Sequence, residues 1–225
     1  MNESTLNSNA QQCLQKLLRT WFDFEKSLNK VPIIRRLENG NFSANDYQNL
    51  LLNLRQQIIE GSRWISRGAS SFDRNYTDVR SLVIGHAKEE HRDYEIIEQD
   101  FVNAGGKLET ILSGKRNIGS EALHGFLMYR ASRPNPIDLI GAMWIIEGLG
   151  EKMADGWAKR IEELLGFEDA TKFMRYHGGN DTAHMQKLYT MLDRVCIDDA
   201  AVDAIQKTAS VVARLYQLQL EEIDV

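Results

Sequence analysis

The segment Tyr176-His-Gly-Gly-Asn-Asp-Thr-Ala-His184 carries the most information in this 225-residue sequence. It places His177, Asp181 and His184 at positions i, i+4 and i+7. Because an α-helix turns by about 100° per residue, the three side chains would project from one helix face, within about 60° of one another. Two imidazoles and a carboxylate form a mixed N/O donor set that suits iron or manganese. A helix with this face turned into a bundle would supply half of a metal site.

Two glycines, Gly178 and Gly179, stand inside this motif. Each costs a helix about 1 kcal/mol relative to alanine, so a continuous helix needs a compensating reason for them. Close approach of another backbone or a ligand is one such reason, and a π-bulge of the kind often found at functional sites is another. The alternative is a helix that breaks here, with His177 ending one helix and Asp181 beginning the next.

Long amphipathic segments surround the motif, and only three prolines interrupt the chain. Hydrophobic periodicity and capping residues predict helices over residues 7–30, 43–68, 78–104, 120–132, 135–165, 168–194 and 199–222, with a loop over 108–119. Ser43 with Asp46 resembles a capping box, and Asn135-Pro136 resembles an N-cap followed by proline at the first helical position. Seven helices of this length predict an all-α, single-domain helical bundle over residues 1–225.

The composition is that of an ordinary globular protein, with 43% hydrophobic and 26% charged residues. The net charge of -5 argues against a broad basic surface for nucleic acid. No apolar segment approaches the roughly 20 residues of a membrane span, and the first residues lack the pattern of a signal peptide. Cys13 and Cys196 are too far apart in sequence to indicate a disulfide framework or a zinc ribbon. We therefore expect a soluble, cytoplasmic protein without nucleic-acid or membrane partners.

Glutamates in the other predicted helices offer the second half of a metal site. Glu147 interrupts the apolar run Leu139–Leu149. Because burying an unpaired carboxylate costs several kcal/mol, Glu147 needs a partner cation, a metal or a proton. His86, Glu90 and Asp93 share one face of the predicted third helix, as ligands in helical bundles often do. Charged residues interleaved with these three also fit a solvated face.

Glu60 presents two interpretations of equal weight. It lies in an apolar part of the predicted second helix, so one interpretation is that it is a buried metal ligand. It could equally be a helix-face glutamate that pairs with Arg63 or Arg67.

The candidate ligands resemble, in their order along the chain, those of the heme-oxygenase-like diiron oxidases: Glu60, Glu90, Glu147, His177, Asp181 and His184. Members of that family share a seven-helix fold with heme oxygenase, the thiaminase TenA and the pyrroloquinoline quinone synthase PqqC. The stretch from Glu89 to Gly105 looks like the family's EE-x-G-H…DL-x-x-x-G segment, and Trp144-Ile-Ile-Glu147-Gly148 looks like its second-glutamate segment. The resemblance covers roughly Leu50 to Leu192.

The resemblance implies two Fe(II) ions that activate O2 and oxidise a small aliphatic acid or an amino-acid-like substrate. Decarboxylation, desaturation, N-oxygenation and C–C cleavage are the reactions it implies. Two-fold dimers are the commonest oligomers of soluble proteins, so a homodimer is the first assembly to test. Five residues are candidates for lining a pocket, although each also fits plain core packing: Trp64, Trp144, Tyr176, Met143 and Met174.

One position departs from the family pattern, because Asp93 stands where the Glu-x2-His motif has its histidine. A fifth carboxylate would change the charge of a site with two Fe(II) ions from neutral to about -1. Such a set, richer in oxygen, favours manganese or weakens one metal position. His86 or His91 could replace the missing imidazole. The other interpretation is that the metal site has been lost.

Two interpretations without metal stay open. A TenA-like enzyme of cofactor metabolism would need a nucleophilic cysteine in the bundle, and neither Cys13, in the first helix, nor Cys196, at a helix end, is well placed. A ligand-binding protein would keep the fold without the chemistry. Heme oxygenase itself is not expected, because its axial histidine lies near the chain start and the first histidine here is His86. We expect His124, on a different helix with no carboxylate partner, to be structural or exposed.

Overall fold

A computed structural model of the chain describes residues 6–224, apart from the side chains of residues 180–183. These residues form α-helices and short 3-10 or π turns without any β-strand, which confirms the predicted all-α fold. None of the helices in this part of the chain is both long and apolar enough to cross a membrane. The helices are α1 (Ser8–Leu28), α2 (Pro32–Glu38), α3 (Ala44–Ser71), α4 (Thr77–Glu89), α5 (Asp93–Asn103), α6 (Leu108–Leu112), α7 (Ile118–Ala131), α8 (Leu139–Leu149), α9 (Asp155–Leu165), α10 (Lys172–Val195) and α11 (Asp199–Glu221).

Side-chain caps begin several helices where the sequence predicts them. Asn7 accepts a hydrogen bond from the backbone of Ala10 at the start of α1. Ser43 and Asp46 form a two-way capping box, in which Ser43 N donates to Asp46 Oδ2 over 2.8 Å and Asp46 N donates to Ser43 Oγ over 3.1 Å. Such bonds satisfy backbone N–H groups that have no partner within the helix, so they fix where it begins.

The predicted helix start at Asn135-Pro136 is wrong. Asn135 has a φ of 47°, in the left-handed region, which asparagine tolerates better than most residues. Its side chain accepts a hydrogen bond from Asp73 N at 2.9 Å and donates one to Asp73 Oδ2 at 2.8 Å. Asn135 is therefore part of a long-range link to the end of α3, and α8 begins only at Leu139.

Local turns divide two of the long predicted helices. The predicted third helix is split by a 3-10 turn at Glu90–Arg92, which separates α4 from α5. The predicted fifth helix contains a π turn at Gly150–Ala154, between α8 and α9. Both turns follow closely on candidate ligands. The predicted loop over 108–119 also contains the short helix α6, so the structure has more helices than the seven predicted.

Helix α10 is continuous through Gly178 and Gly179, which answers the question left open by the sequence. A Cβ atom at position 178 would lie 3.0 Å from Asp155 Cβ and 3.3 Å from Asp155 N. Glycine therefore lets α10 approach the backbone where the π turn passes into α9. The close-approach explanation for this glycine is confirmed.

The packing places α10 inside the bundle, against α4, α5, α8, α9 and the π turn. Helix α11 packs against α1, α7 and α8 on the other side of α8. A continuous hydrophobic core joins these elements, and its largest fully buried side chains include Trp144, Tyr47 and Phe101. The faces of α8 and α10 that meet in this core carry Glu147, His177 and His184.

A substitution of Gly141 would test how closely α8 and α11 must approach each other. A Cβ atom at this position would lie 2.1 Å from the Ile205 carbonyl oxygen, so the two helices would have to separate. We expect Gly141→Ala to lower the free energy of unfolding by about 1–3 kcal/mol, as overpacking does. Gly125→Ala is the control, because no described atom lies within 4 Å of the added Cβ in α7. It should raise this free energy by up to about 1 kcal/mol. Urea denaturation followed by circular dichroism would measure both, and equal effects would contradict the close packing.

Candidate metal centre

Six candidate ligands converge inside the bundle from four helices and one 3-10 turn. All are buried except Glu90, which is half-buried. They are His86 on α4, Glu90 on the 3-10 turn, Asp93 at the first position of α5, Glu147 on α8, and His177 and His184 on α10.

Glu147 lies at the middle of a first cluster, formed with His86, Glu90 and His184. One possible ligand atom from each of the four residues lies within 4.8 Å of the others. Glu147 Oε1 is 2.9 Å from His86 Nε2, and Glu147 Oε2 is 2.9 Å from His184 Nδ1. His184 Nδ1 is also 3.6 Å from Glu90 Oε1. One carboxylate on α8 thus joins imidazoles from α4 and α10.

A second cluster contains Glu90, Asp93 and His177, again with ligand atoms within 4.8 Å of one another. His177 Nε2 lies 3.3 Å from Asp93 Oδ2. The His177 ring also packs against the Phe173 ring, with 4.4 Å between centroids. Glu90 belongs to both clusters, so a single carboxylate connects two adjacent positions.

Glu60 lies apart from both clusters, on the face of α3 that meets α7. Its Oε1 is 2.9 Å from Arg116 Nη2 and 3.0 Å from Arg63 Nη1. Its Oε2 is 3.9 Å from Nδ1 of His124. Of the two interpretations of Glu60 from the sequence, the structure therefore shows the pairing with Arg63. The expectation that His124 has no carboxylate partner is wrong, because the fold brings Glu60 to it.

Two further candidates remain, Asp181 and His91. The side chain of Asp181 lies outside the described residues, although its backbone is part of α10. His91 is exposed on the 3-10 turn and lines a groove on the outer surface of α3 and α4. Of the two histidines considered as replacements for the imidazole missing at position 93, only His86 lies in a cluster.

Glu89 is a neighbour of the site that the sequence analysis did not single out. Its Oε2 lies 3.1 Å from His184 Nε2, and it also pairs with Lys187. A carboxylate on one imidazole nitrogen fixes the orientation of the ring and leaves the other nitrogen to a metal. Here that other nitrogen, Nδ1, faces Glu147 and Glu90. The Glu89-Glu90 doublet was the only signal for this role in the sequence.

The electrostatics of the two central carboxylates differ. Burial raises the pKa of Glu90, and the charge of Glu147 raises it further. Burial also acts to raise the pKa of Glu147, but the contacts with His184 and His86 outweigh it and hold that pKa below its ordinary value. Glu147 is thus stabilised as an anion by two imidazoles, whereas Glu90 lacks enough positive charge around it. A cation between the two carboxylates would supply that charge.

The donor atoms fit bound metal. Glu90 Oε1 and Asp93 Oδ2 are buried and have no hydrogen-bond partner among the described residues. Such atoms are rare in folded proteins, and each costs about 1–3 kcal/mol when left unsatisfied. Both belong to candidate ligands, and the imidazole and carboxylate set around them suits iron or manganese.

An apolar cavity of about 100 Å³ opens beside the clusters. Glu90, Glu147 and His177 form its polar end, and α3 supplies one long wall. Trp64 and Met174, two of the candidate pocket residues, line it. The other three candidates lie elsewhere: Trp144 and Met143 are buried in the core and Tyr176 is exposed. The cavity gives an apolar ligand a place against the candidate metal ligands.

Asp100 positions the helix that carries the two histidines. It is fully buried on α5, and its Oδ2 accepts a hydrogen bond from Phe173 N in the first turn of α10 at 2.7 Å. Thr171, just before α10, makes no side-chain cap, so a residue of another helix takes this role. Burial raises the pKa of Asp100 to about 6, although the backbone N–H groups of Phe173 and Lys172 oppose the shift.

Comparisons with known proteins agree with this geometry. A sequence model of a family described as iron-containing redox enzymes matches residues 84–217. This range contains every residue of the two clusters. No functionally curated protein matches the chain.

Solved structures show the same helical fold. A domain of unknown function with a heme oxygenase-like fold from Shewanella denitrificans OS217 superimposes with a TM-score of 0.85 at 20% identity, over 95% of this chain and 90% of that one. A TenA homolog from Pseudomonas syringae pv. tomato DC3000 gives a TM-score of 0.79 at 12% identity, over 99% and 95% of the two chains. A TenA homologue from P. horikoshii OT3 gives 0.73 at 13% identity, over 94% and 97%. These similarities confirm the predicted heme oxygenase-like, TenA-type fold.

The cap made by Asp100 predicts different effects for two substitutions. Asp100→Ala removes the only side-chain acceptor described for Phe173 N and should lower the free energy of unfolding by about 1–2 kcal/mol. Asp100→Asn keeps an amide oxygen in nearly the same place and should lose less than half as much. Urea denaturation at about pH 5, where Asp100 keeps its proton in the folded state, would measure both. Equal losses would show that the cap does not stabilise α10.

The raised pKa of Asp100 predicts a pH dependence. The pKa of Asp100 is about 6 in the folded state, against an ordinary value of 3.8. The bound proton therefore contributes fully to the free energy of unfolding below pH 3.8. This contribution is lost as the pH rises through about 6. Asp100→Asn cannot titrate, so the stability of the wild type relative to this variant should fall between pH 4 and pH 6. A constant difference in unfolding free energy across this range would contradict the raised pKa.

Proposed function

Because the chain belongs to the family of iron-containing redox enzymes, we propose that it is an oxidase that activates O2 at two iron ions held between α4, α5, α8 and α10. The observation that carries this proposal is the position of Glu90, which contributes to both ligand clusters. Two adjacent donor sets that share a carboxylate are the arrangement expected of carboxylate-bridged metal pairs in helical bundles.

The donor sets assign each ligand to one ion, except Glu90, which both ions would share. His86, Glu90, Glu147 and His184 would hold the first, and Glu90, Asp93 and His177 the second. Three carboxylates balance three of the four positive charges of two Fe(II) ions, and Asp181 would supply the fourth from α10. Because Glu60 lies outside both clusters, this set has four carboxylates rather than five, so it does not carry the extra negative charge inferred from the sequence. Manganese suits the same donors.

The protein supplies orientation and a dry environment, and bound iron would supply the redox chemistry with O2. Glu147 holds the imidazoles of two helices in place, and Glu89 fixes the ring of His184. The apolar cavity excludes bulk water from the face of the clusters on which Glu90 and His177 lie. A substrate in this cavity would lie directly against the metal ligands.

The substrate proposed is a small aliphatic acid or an amino-acid-like molecule. Its carboxylate would lie at the polar end of the cavity, where bound iron would supply the positive charge that Glu90 and Glu147 cannot. Its apolar part would pack against the aromatic and aliphatic wall that includes Trp64 and Ile65. A cysteine-dependent, TenA-like reaction has less support. Cys13 and Cys196 are both buried, and neither lines the described cavity.

Metal content after anaerobic loading with Fe(II) tests the proposal. We expect about two irons per wild-type chain by elemental analysis, as in other di-iron carboxylate bundles. His184→Ala and His177→Ala each remove a ligand of a different ion, so each should lower the content towards one. Glu60→Gln is the control, because Glu60 lies outside both clusters, and it should keep the wild-type content.

Circular dichroism would show that each variant is folded before its metal is counted. A wild type without stoichiometric metal would contradict the di-metal centre. Loss of iron in Glu60→Gln as large as that in the histidine variants would contradict the ligand assignment.

A further inference from the structure

Gly61 stands in the interior of α3 although no packing contact requires a glycine there. Glycine is less favourable than alanine inside a helix, because its backbone loses more conformational freedom on folding. No described heavy atom lies within 4 Å of a Cβ atom added at this position. Gly61 is also not one of the glycines with a positive φ in the described part of the chain. Neither close packing nor backbone conformation therefore accounts for it.

Another glycine of the same helix shows the contrast. A Cβ atom at Gly68 would lie 2.6 Å from Leu139 Cδ1, so the buried side chain of Leu139 would have to move. Gly61 instead forms part of the wall of the apolar cavity, and its missing side chain leaves open space. Glu90 and His177 line the same cavity, and α3 packs against the 3-10 turn that contains Glu90. Gly61 and the candidate metal ligands thus border one common space.

The size of the cavity limits what can bind beside Gly61. An engineered protein cavity of about 150 Å³ holds benzene, which has six carbon atoms. By the same proportion, the cavity of about 100 Å³ has room for about four non-hydrogen atoms. The methyl group of an alanine at position 61 would occupy the place of about one of them.

The charge of the wall restricts the chemistry of the bound molecule. Among the described residues that line the cavity, the acidic side chains are the candidate ligands Glu90 and Glu147, and none is a lysine or an arginine. A charged group away from these ligands would lose its hydration without gaining a counterion. The part of the molecule that lies along α3 is therefore uncharged and apolar.

We propose that Gly61 sets the size of the molecule that this protein accepts, and that the substrate is a short molecule whose uncharged, apolar body of about four non-hydrogen atoms lies against the bare backbone of α3 at this glycine. The statement that this molecule is oxidised rests on the proposed function, whereas the position of its apolar body does not. One methylene group more or less in an apolar pocket changes binding about 10- to 200-fold. A single position without a side chain can therefore distinguish molecules that differ by one carbon.

Ethanol and 1-propanol, with three and four non-hydrogen atoms, are neutral probes of the metal-free protein. Their hydroxyl group can donate to Glu90 Oε1, which is buried and has no hydrogen-bond partner among the described residues. Trp64 and Trp157 line the cavity, whereas Trp21 and Trp144 are not among its described lining residues. In two-dimensional NMR titrations of the wild type, we expect both alcohols to shift the indole N–H signals of the first pair, and 1-propanol to bind more tightly.

Gly61→Ala should weaken the binding of 1-propanol about tenfold, whereas ethanol, which still fits, should change by about twofold or less. Gly125→Ala is the matched control, because it also adds a methyl group to open space on a helix, but away from the described wall of the cavity. It should change the binding of neither alcohol. Both substitutions should raise the midpoint of urea denaturation, since alanine favours a helix, so unfolding would not explain weaker binding.

Equal binding of 1-propanol by the wild type and Gly61→Ala would overturn the proposal. Equal losses for ethanol and 1-propanol in Gly61→Ala would do the same, because they would show an effect that does not depend on size. So would NMR shifts at Trp64 and Trp157 that are no larger than those at Trp21 and Trp144.

Butyric acid and the anaerobic Fe(II)-loaded protein separate this proposal from the metal-dependent function. Isothermal titration calorimetry should show binding of the acid only after iron is loaded, since bound iron supplies the charge for its carboxylate. Gly61→Ala should weaken this binding about tenfold. A protein that binds no iron but shows the size effect with the alcohols would support the role of Gly61 and contradict the oxidase. Stoichiometric iron without any effect of Gly61→Ala would support the oxidase and contradict the role of Gly61.

Discussion

The arrangement of this bundle depends on carboxylates buried where water cannot solvate them. Glu147 lies in the apolar helix α8, and it is tolerated there because imidazoles from α4 and α10 lie 2.9 Å from its two oxygens. Those two contacts join α4, α8 and α10 at one buried carboxylate. Glu90 then lies beside Glu147 without equivalent compensation, which makes the interior attractive to cations. The metal proposal rests on this electrostatic imbalance within an otherwise apolar core.

Local signals were sufficient for much of the fold. The capping residues of α1 and α3 and the isolated charge of Glu147 in an apolar run are properties of short segments, so they could be predicted from sequence. Glu60 could not be placed, because the face of α3 that it occupies is decided by Arg116, which is distant in sequence. Asn135 was misassigned for the same reason, since its conformation depends on Asp73. Predictions failed where a residue's partner lies far along the chain.

Departures from regular helix occur beside the candidate site. The 3-10 turn begins at Glu90 and ends just before Asp93, so these two ligands need not keep the spacing of a straight helix. The π turn begins three residues after Glu147 and leads to Asp155, against which Gly178 of α10 packs. Such irregular turns are less stable than α-helix and are often found at functional sites. Here one of them contains the shared carboxylate Glu90, and the other begins about one turn beyond Glu147.

The wall that α3 contributes to the cavity has a consequence for how proteins of this kind diverge. The family match begins at residue 84, after α3 has ended, and it contains every clustered ligand. Gln57 and Trp64, by contrast, lie outside it. One part of the cavity wall thus lies outside the stretch that carries the ligands, whereas another part, which includes Met174, lies inside it. Substitutions in α3 can therefore reshape one side of the cavity without replacing any clustered ligand.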